Sequence, residues 1–208
     1  LQLSFSAAGF QYPQEQKKSL SAVSMEIPAG SKTNFMGSSG SGKSTLLNIA
    51  SAAFPLTEGN LTFNGIPARN LDIPSLRKHI AVVRGADQIF KGTIIENITL
   101  GNSNYDLERI SGLCERLGMS NFIFQSKNGF NTELLPEGKG IPYNIAYKIL
   151  VARALMLKPG LLLMDEGFDS LSHLDKEKVL KEIFSDRYNF TLMTFSNSIE
   201  IAQICDKV

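Results

Sequence analysis

The chain has 208 residues, a length that suits one domain, or one domain with an inserted lobe. Hydrophobic residues make up 43% and charged residues 20%, which is ordinary for a packed globular protein. The formal net charge of +1 gives no strong basic field, so the composition argues against nucleic acid or an anionic membrane surface as a partner. Two cysteines far apart in the sequence indicate no disulfide framework and fit a reducing compartment.

The chain shows no segment that would take it into or across a membrane. No apolar run approaches the length of a membrane span, and the sequence does not open with a signal peptide. We therefore expect the chain as given to be soluble. It starts inside a strand-like pattern and stops without a terminating signal, so we also expect it to be a piece of a longer polypeptide.

Several short segments predict strands. The first thirty residues alternate apolar and polar positions, with turn residues at Pro13 and at 28–30, and this pattern indicates antiparallel strands. Compact apolar runs follow at 80–83, 161–164 and 191–195. Such runs are typical of strands that are buried on both faces of a parallel sheet.

Helical patterns lie between these strands. A helix is predicted to continue from Thr45, and apolar residues at helical spacing predict another over 144–157. Ser172 and Asp175 indicate a capping box at the start of a third helix, which reaches residue 184. Strands that alternate with helices predict an α/β fold around a parallel sheet.

The segment GSSGSGKST at 37–45 is the strongest functional motif, and an apolar stretch precedes it while a helix pattern follows. Its glycines let the backbone turn tightly, so that successive N–H groups point at phosphate oxygens. A Gly/Ser linker with a chance lysine would not need the flanking strand and helix. The predicted phosphate-binding residues are Gly37, Ser38, Ser39, Gly40, Ser41, Gly42, Lys43, Ser44 and Thr45. In this motif Lys43 reaches the β and γ phosphates, and Ser44 holds Mg²⁺.

The run LLLMDE at 161–166 is a predicted buried strand that ends in two carboxylates. In phosphate-loop enzymes the first acid, Asp165, holds Mg²⁺, usually through water. The next carboxylate, Glu166, can polarise the attacking water as a general base. In isolation the motif would most often be a strand that runs out into solvent. After a complete phosphate loop it predicts the second half of a nucleotide site, with Lys43 and Glu166 catalytic and Ser44 and Asp165 on the metal.

The segments FKGTIIENI at 90–98 and ARAL at 152–155 lie between the two halves. Together these motifs resemble the nucleotide-binding domain of ABC transporters, and their sequences are most similar to those of exporter-type cassettes. The resemblance covers nearly the whole chain. It implies a P-loop NTPase (RecA-like) core with an antiparallel β subdomain, formed by 1–85 and 155–208. An inserted α-helical subdomain is expected at 86–154.

The resemblance also implies a function. Family members bind ATP with Mg²⁺ and hydrolyse it, as a pair of cassettes, to power substrate export. Tyr12 falls where the family stacks an aromatic ring on adenine, although a half-buried strand tyrosine would look the same. Residues 169–172 fall at the D-loop, which touches the partner cassette. The expected partners are a second, identical or different, nucleotide-binding domain and the transmembrane domains of an exporter, at the cytoplasmic side of the cell membrane.

Three slots that sense the γ-phosphate depart from the family pattern. The LSGGQ signature slot is filled by 141–145, where Pro142 offers no N–H and Tyr143 is bulky. The family's glutamine falls on Gly85. The switch histidine falls on Asn197, which carries no positive charge at any pH. We therefore expect weak hydrolysis by the isolated chain.

Two other interpretations stay open. The same departures are compatible with a regulatory module that binds ATP with little turnover and pairs with a competent cassette, although Glu166 argues against it. A small-molecule kinase or a GTPase is the third possibility, because a phosphate loop alone does not fix the reaction. His79 and His173 lie in polar surroundings, and we expect both to be surface residues rather than catalytic ones.

Overall fold

The structure is a computed structural model, and it describes residues 1–85 and 88–208. The strands are β1 (Leu3–Phe10), β2 (Leu20–Ile27), β3 (Lys32–Asn34), β4 (Glu58–Phe63), β5 (Ile66–Pro67), β6 (Ile80–Val83), β7 (Gly92–Thr93), β8 (Glu133–Leu134), β9 (Leu161–Met164) and β10 (Thr191–Thr194). The α-helices are α1 (Lys43–Ala50), α2 (Ile73–Arg77), α3 (Ile94–Thr99), α4 (Leu107–Arg116), α5 (Ser120–Gln125), α6 (Tyr143–Met156), α7 (His173–Ile183) and α8 (Ile199–Ile204). A 3₁₀ turn spans Glu166–Ser170.

The chain forms two compact units. The first comprises Leu1–Val82, Pro159–Asp165 and Asn189–Val208, and the second comprises Val83–Lys158 and Glu166–Tyr188. The subdomain boundaries implied by the resemblance, with a helical insertion at 86–154, remain a prediction. The first two residues of that insertion, 86 and 87, lie outside the described residues. Among the residues that the structure describes, no helix is both long and apolar enough to cross a membrane.

The first unit is built on two four-stranded sheets. One has the order β2-β1-β4-β5 and is antiparallel, as the alternation in the first thirty residues predicted. The other has the order β3-β10-β9-β6, and β10 runs parallel to both β3 and β9. Every residue of β9 and β10 is buried, which explains why these strands are continuous apolar runs. The predicted strands at 80–83 and 161–164 and the α/β class are confirmed.

One apolar cluster joins both sheets to α1. It includes Leu47 and Ile49 of α1, Leu3 and Phe5 of β1 and Met193 of β10. Burial of each such side chain contributes about 1.5–3 kcal/mol relative to exposure. Because α1 is fixed by this core, the loop that leads into it is anchored at its helical end.

The second unit is mainly helical, and it also contains the short hairpin β7–β8. Thr93 and Glu96 form a reciprocal capping box that starts α3. The buried Asn97 donates from Nδ2 to the carbonyl oxygen of Phe90 at 3.0 Å, and its Oδ1 accepts from Arg153 Nη2 at 2.9 Å. The motif at 90–98 is therefore tied to α6 by hydrogen bonds. Burial lowers the pKa of Arg153 to about 10, so its guanidinium stays charged at neutral pH.

The helix predicted from Ser172 starts at His173, and only half of the predicted capping box forms. The hydroxyl of Ser172 accepts from the N–H of Asp175 at 3.2 Å, as expected. The carboxylate of Asp175 instead accepts from the hydroxyl of Ser172 and from the side chains of Asn144 and Lys148 on α6. The reciprocal half of the box is therefore replaced by a link between two helices.

A buried carboxylate anchors the C-terminal half of α7. Glu182 is 2% exposed, and it accepts from Arg116 Nε at 2.8 Å and from the hydroxyl of Tyr188 at 2.5 Å. Burial by itself raises the pKa of Glu182, but the hydrogen bonds from Arg116 and Tyr188 outweigh it, so the pKa lies below its usual value. This carboxylate is ionised in the folded chain.

We predict that Glu182→Gln lowers the free energy of unfolding by about 2 kcal/mol at pH 7, because charge-assisted hydrogen bonds are lost. A depressed folded pKa means that the stabilisation is complete above the unfolded pKa of about 4.3 and is lost as the pH falls through the folded value. The difference between wild type and variant should therefore shrink in acid. Urea unfolding at several pH values measures it, with the exposed Glu115→Gln as control. A difference that does not depend on pH would contradict this account.

Candidate nucleotide site

The loop at 37–45 has a backbone that only glycine tolerates at its critical positions. Gly40 and Gly42 have φ of +81° and +91°. A Cβ on Gly42 would lie 2.7 Å from the carbonyl oxygen of Ser19, and one on Gly37 would lie 2.7 Å from Oγ of Ser41. Gly42 is therefore needed for both conformation and space, and Gly40 for conformation, whereas the contact at Gly37 is with the end of a serine side chain.

The N-terminus of α1 has features that favour an anion. The helix begins at Lys43, and its N-cap residue, Gly42, has no side chain that could cap the first turn. Its first turn also contains no acidic residue. Backbone N–H groups at a helix start carry partial positive charge and bind phosphate well. This end of α1 fits a phosphate group.

The ammonium group of Lys43 lies over the phosphate loop. Lys43 is only 9% exposed, and its Nζ donates to the carbonyl oxygens of Gly37 at 2.6 Å and Ser38 at 3.0 Å. The side chain is thus held at the loop rather than extended into solvent. A buried cation next to an uncapped helix start is the electrostatic arrangement that a polyphosphate needs.

The predicted metal-binding residue Asp165, the phosphate loop and Asn197 all follow strands at one edge of the sheet. The phosphate loop follows β3, Asn197 follows β10 and Asp165 follows β9, and these three strands are parallel neighbours with β10 in the middle. The carboxyl edge of a parallel sheet is where ligands bind in such folds. The half-buried Asp165 and the exposed Ser44 offer a carboxylate and a hydroxyl, the oxygen ligands that Mg²⁺ prefers.

The other predicted residues fall as follows. Tyr12 follows β1, and its hydroxyl lies 3.3 Å from Oγ1 of Thr45. Its ring meets those of Phe10 and Phe54 edge-on, at centroid distances of 4.9 and 5.9 Å. The structure thus brings two of the predicted nucleotide-binding residues into contact. Glu166 is exposed and opens the 3₁₀ turn of the second unit. The roles given to the predicted site residues remain predictions.

Asn197, in the switch slot, contacts the phosphate loop directly. Its Oδ1 accepts from the N–H of Gly37 at 3.0 Å. Next to it, the buried Asn34 accepts from the hydroxyl of Thr194 at 2.8 Å and donates to the carbonyl oxygen of Ser196 at 3.1 Å. Two asparagine side chains therefore connect the end of β3 and the start of the loop to the end of β10 and the segment that follows it. The sequence indicated which slot Asn197 fills but not this contact.

The remaining departures also have defined positions. Helix α6 forms, and it begins directly after Pro142, whose backbone provides the N-cap without a side-chain hydrogen bond. Beside Gly85, the N–H of Arg84 donates to Oε1 of Gln88 at 3.3 Å. Both His79 and His173 are exposed, which confirms their prediction as surface residues.

Comparison with known proteins identifies the family. The sequence profile described as ABC transporter matches residues 20–169. An uncharacterized ABC transporter ATP-binding protein, YknV of Bacillus subtilis, is 33% identical over 189 residues, which are 89% of this chain and 31% of that protein. The mitochondrial iron-sulfur clusters transporter ABCB7 of Oryzias latipes is 32% identical over 181 residues, 86% of this chain and 24% of that protein. The chain therefore spans a third or less of the length of these relatives.

A solved structure shows the same fold. A bacterial Atm1-family ABC exporter with ATP bound matches with a TM-score of 0.87 and 23% identity, over 99% of this chain and 36% of that chain. The chain belongs to the ABC transporter family. The expected P-loop NTPase core with its antiparallel β and helical parts is confirmed. ATP, generally with Mg²⁺, is the ligand of such domains.

We predict that Asn197→Ala frees the N-terminal end of the phosphate loop. Loss of the acceptor for the Gly37 N–H should speed hydrogen exchange of that amide about fivefold or more, the factor expected for one net hydrogen bond. Asn197→Asp is the matched control, because a carboxylate oxygen can still accept the same N–H. Exchange measured by NMR on the nucleotide-free chain tests this. Equal exchange rates in wild type and Asn197→Ala would contradict the assigned contact.

Proposed function

We propose that this chain binds Mg-ATP at residues 37–45 and hydrolyses it to power the export of a substrate across a membrane. The observation that carries the proposal is the uncapped start of α1 with the buried Lys43 ammonium held over the loop. Membership of the ABC transporter family supports it. In this proposal the chain works at the cytoplasmic side of a membrane, with transmembrane domains and a second nucleotide-binding domain.

Each residue has a proposed task. The N–H groups of the loop and of the first turn of α1 bind the phosphates, and Lys43 neutralises charge on the β and γ oxygens. Ser44 and Asp165 hold Mg²⁺, which when bound stabilises charge on the leaving oxygens. Glu166 accepts a hydrogen bond from the attacking water and draws its proton away. Tyr12 contacts the adenine ring.

The three altered slots support the view that hydrolysis by this chain depends on a partner cassette. An LSGGQ signature offers a serine hydroxyl and glycine N–H groups to the nucleotide of the opposite cassette, whereas Pro142 has no N–H and Tyr143 adds a ring. Gly85 and Asn197 stand where a glutamine and a histidine assist turnover in the family. A partner with an intact signature would complete the nucleotide site of this chain. Two identical copies would form two incomplete sites.

We predict that the purified chain binds Mg-ATP, and that Lys43→Ala weakens binding at least tenfold, because the loop loses its only proposed cation. The exposed Lys17→Ala removes the same charge far from the loop in sequence and should bind as wild type does. Isothermal titration calorimetry with Mg-ATP measures both. If Lys17→Ala and Lys43→Ala weaken binding equally, the effect is one of net charge and the proposed site is wrong.

We also predict weak steady-state hydrolysis by the isolated chain, because the signature, glutamine and histidine slots are all altered. Glu166→Gln should abolish the remaining turnover while Mg-ATP still binds, since the amide cannot take up the proton of water. Phosphate release and light scattering with and without Mg-ATP follow turnover and dimer formation. Brisk hydrolysis that Glu166→Gln abolishes would contradict the role given to the altered slots. Persistent ATP-induced dimers that release no ADP would favour the regulatory module instead.

A further inference from the structure

The signature slot is occupied by a contact within the chain. Tyr143 is the first residue of α6, and its hydroxyl donates to the carbonyl oxygen of Gly167 at 2.9 Å. Gly167 follows Glu166 directly and lies within the 3₁₀ turn Glu166–Ser170. All of these residues belong to the second unit. The ring in the signature slot is thus hydrogen-bonded to the residue next to the proposed general base.

Gly167 makes room for this contact. A Cβ at Gly167 would lie 2.8 Å from the hydroxyl oxygen of Tyr143 and 3.0 Å from Cε2 of Tyr147. Tyr147 lies one helical turn after Tyr143 and is fully buried, and the two rings have their centroids 6.1 Å apart. Any side chain larger than hydrogen at position 167 would displace the phenol or the buried ring. The residues at 143 and 167 are therefore matched in size as well as hydrogen-bonded.

The start of α6 also holds Asp175, at the other end of the segment that begins at Gly167. Lys148, which is 1% exposed, forms an ion pair with Asp175 of α7. Asn144 donates to the other carboxylate oxygen of Asp175 at 3.1 Å. The chain from Gly167 to Asp175 is thus attached to the start of α6 at both of its ends. Between these attachments lies 169–172, the segment expected to face a partner cassette.

We propose that Tyr143 is a positioning residue that holds the turn carrying Glu166 in place through the carbonyl oxygen of Gly167. The effect on Glu166 rests on the proposed function, whereas the Tyr143–Gly167 contact does not. In this chain the start of α6 supports the 3₁₀ turn that begins at Glu166. The hydroxyl of Tyr143 contacts this turn instead of a nucleotide on a partner. An exposed carboxylate needs such support to keep its position, because its own turn is short.

Hydrogen exchange tests the contact without reference to catalysis. Tyr143→Phe removes only the hydroxyl, and we expect the amides of 168–171 to exchange about fivefold faster in the nucleotide-free chain, the factor for one lost hydrogen bond. One of these amides, that of Leu171, donates to the carbonyl oxygen of Phe168 at 3.1 Å and reports on the turn directly. The exposed Tyr105→Phe is the matched control and should leave exchange at 168–171 unchanged.

A second variant tests the fit between the two residues. Gly167→Ala adds the methyl group for which there is no space, and we expect it to speed exchange at 168–171 as Tyr143→Phe does. In the double variant, the increase in the exchange rate at 168–171 should be smaller than the product of the two single increases, because both substitutions disturb the same contact. Urea unfolding of each variant shows that the chain is folded. Wild-type exchange at 168–171 in folded Tyr143→Phe would overturn the inference.

Steady-state kinetics test the effect on Glu166. We expect Tyr143→Phe to lower kcat for ATP about fivefold and to leave KM within twofold, since the contact lies at the turn and not at the phosphate loop. Faster exchange with wild-type kcat would overturn the positioning role. If calorimetry shows that wild type does not bind Mg-ATP, the proposed function fails, and exchange at 168–171 still decides whether Tyr143 holds the turn. If wild type binds without turnover, the positioning role at Glu166 is also wrong.

Discussion

The left-handed backbone at Gly42 is the constraint on which the rest of the site depends. Gly42 has φ of +91°, and a Cβ there would lie 2.7 Å from the carbonyl oxygen of Ser19. This residue leads the chain directly from the loop into α1. The helix then starts without a side-chain cap, and its N-terminus carries the partial positive charge that favours an anion. Lys43, the next residue, is directed back over the loop carbonyls. The local backbone thus sets both the donors and the cation.

Features with a local cause could be predicted from the sequence. The apolar runs at 80–83 and 161–164 gave β6 and β9 with the same bounds, because strands covered on both faces need apolar residues throughout. The pattern at 144–157 gave α6, which starts one residue earlier. The phosphate loop was evident because its glycine spacing reflects a backbone requirement. Family membership, inferred from motif order and spacing, was confirmed by the comparisons.

Features that depend on a distant partner could not be predicted. Alignment to family slots showed what positions 143 and 197 lack, but not what Tyr143 and Asn197 contact instead. Those contacts reach the residues 167 and 37, which are far away in sequence. The contacts of Asp175 could not be predicted from the sequence either. Its spacing from Ser172 indicated a capping box, yet its carboxylate is taken up by Lys148 and Asn144 because these donors of α6 lie close to it.

Two of the three altered slots share a physical pattern, in that their side chains bind the chain's own backbone. The amide oxygen of Asn197 accepts from Gly37, and the phenol of Tyr143 donates to Gly167. In both slots the residue that replaces the family pattern is held within its own chain. The most direct test of the central claim is a titration of the ¹⁵N-labelled chain with Mg-ATP, followed by backbone amide shifts. Our account predicts the largest shifts at 40–45 and small ones at 141–145. Unchanged shifts at 40–45 in the presence of saturating nucleotide would contradict it.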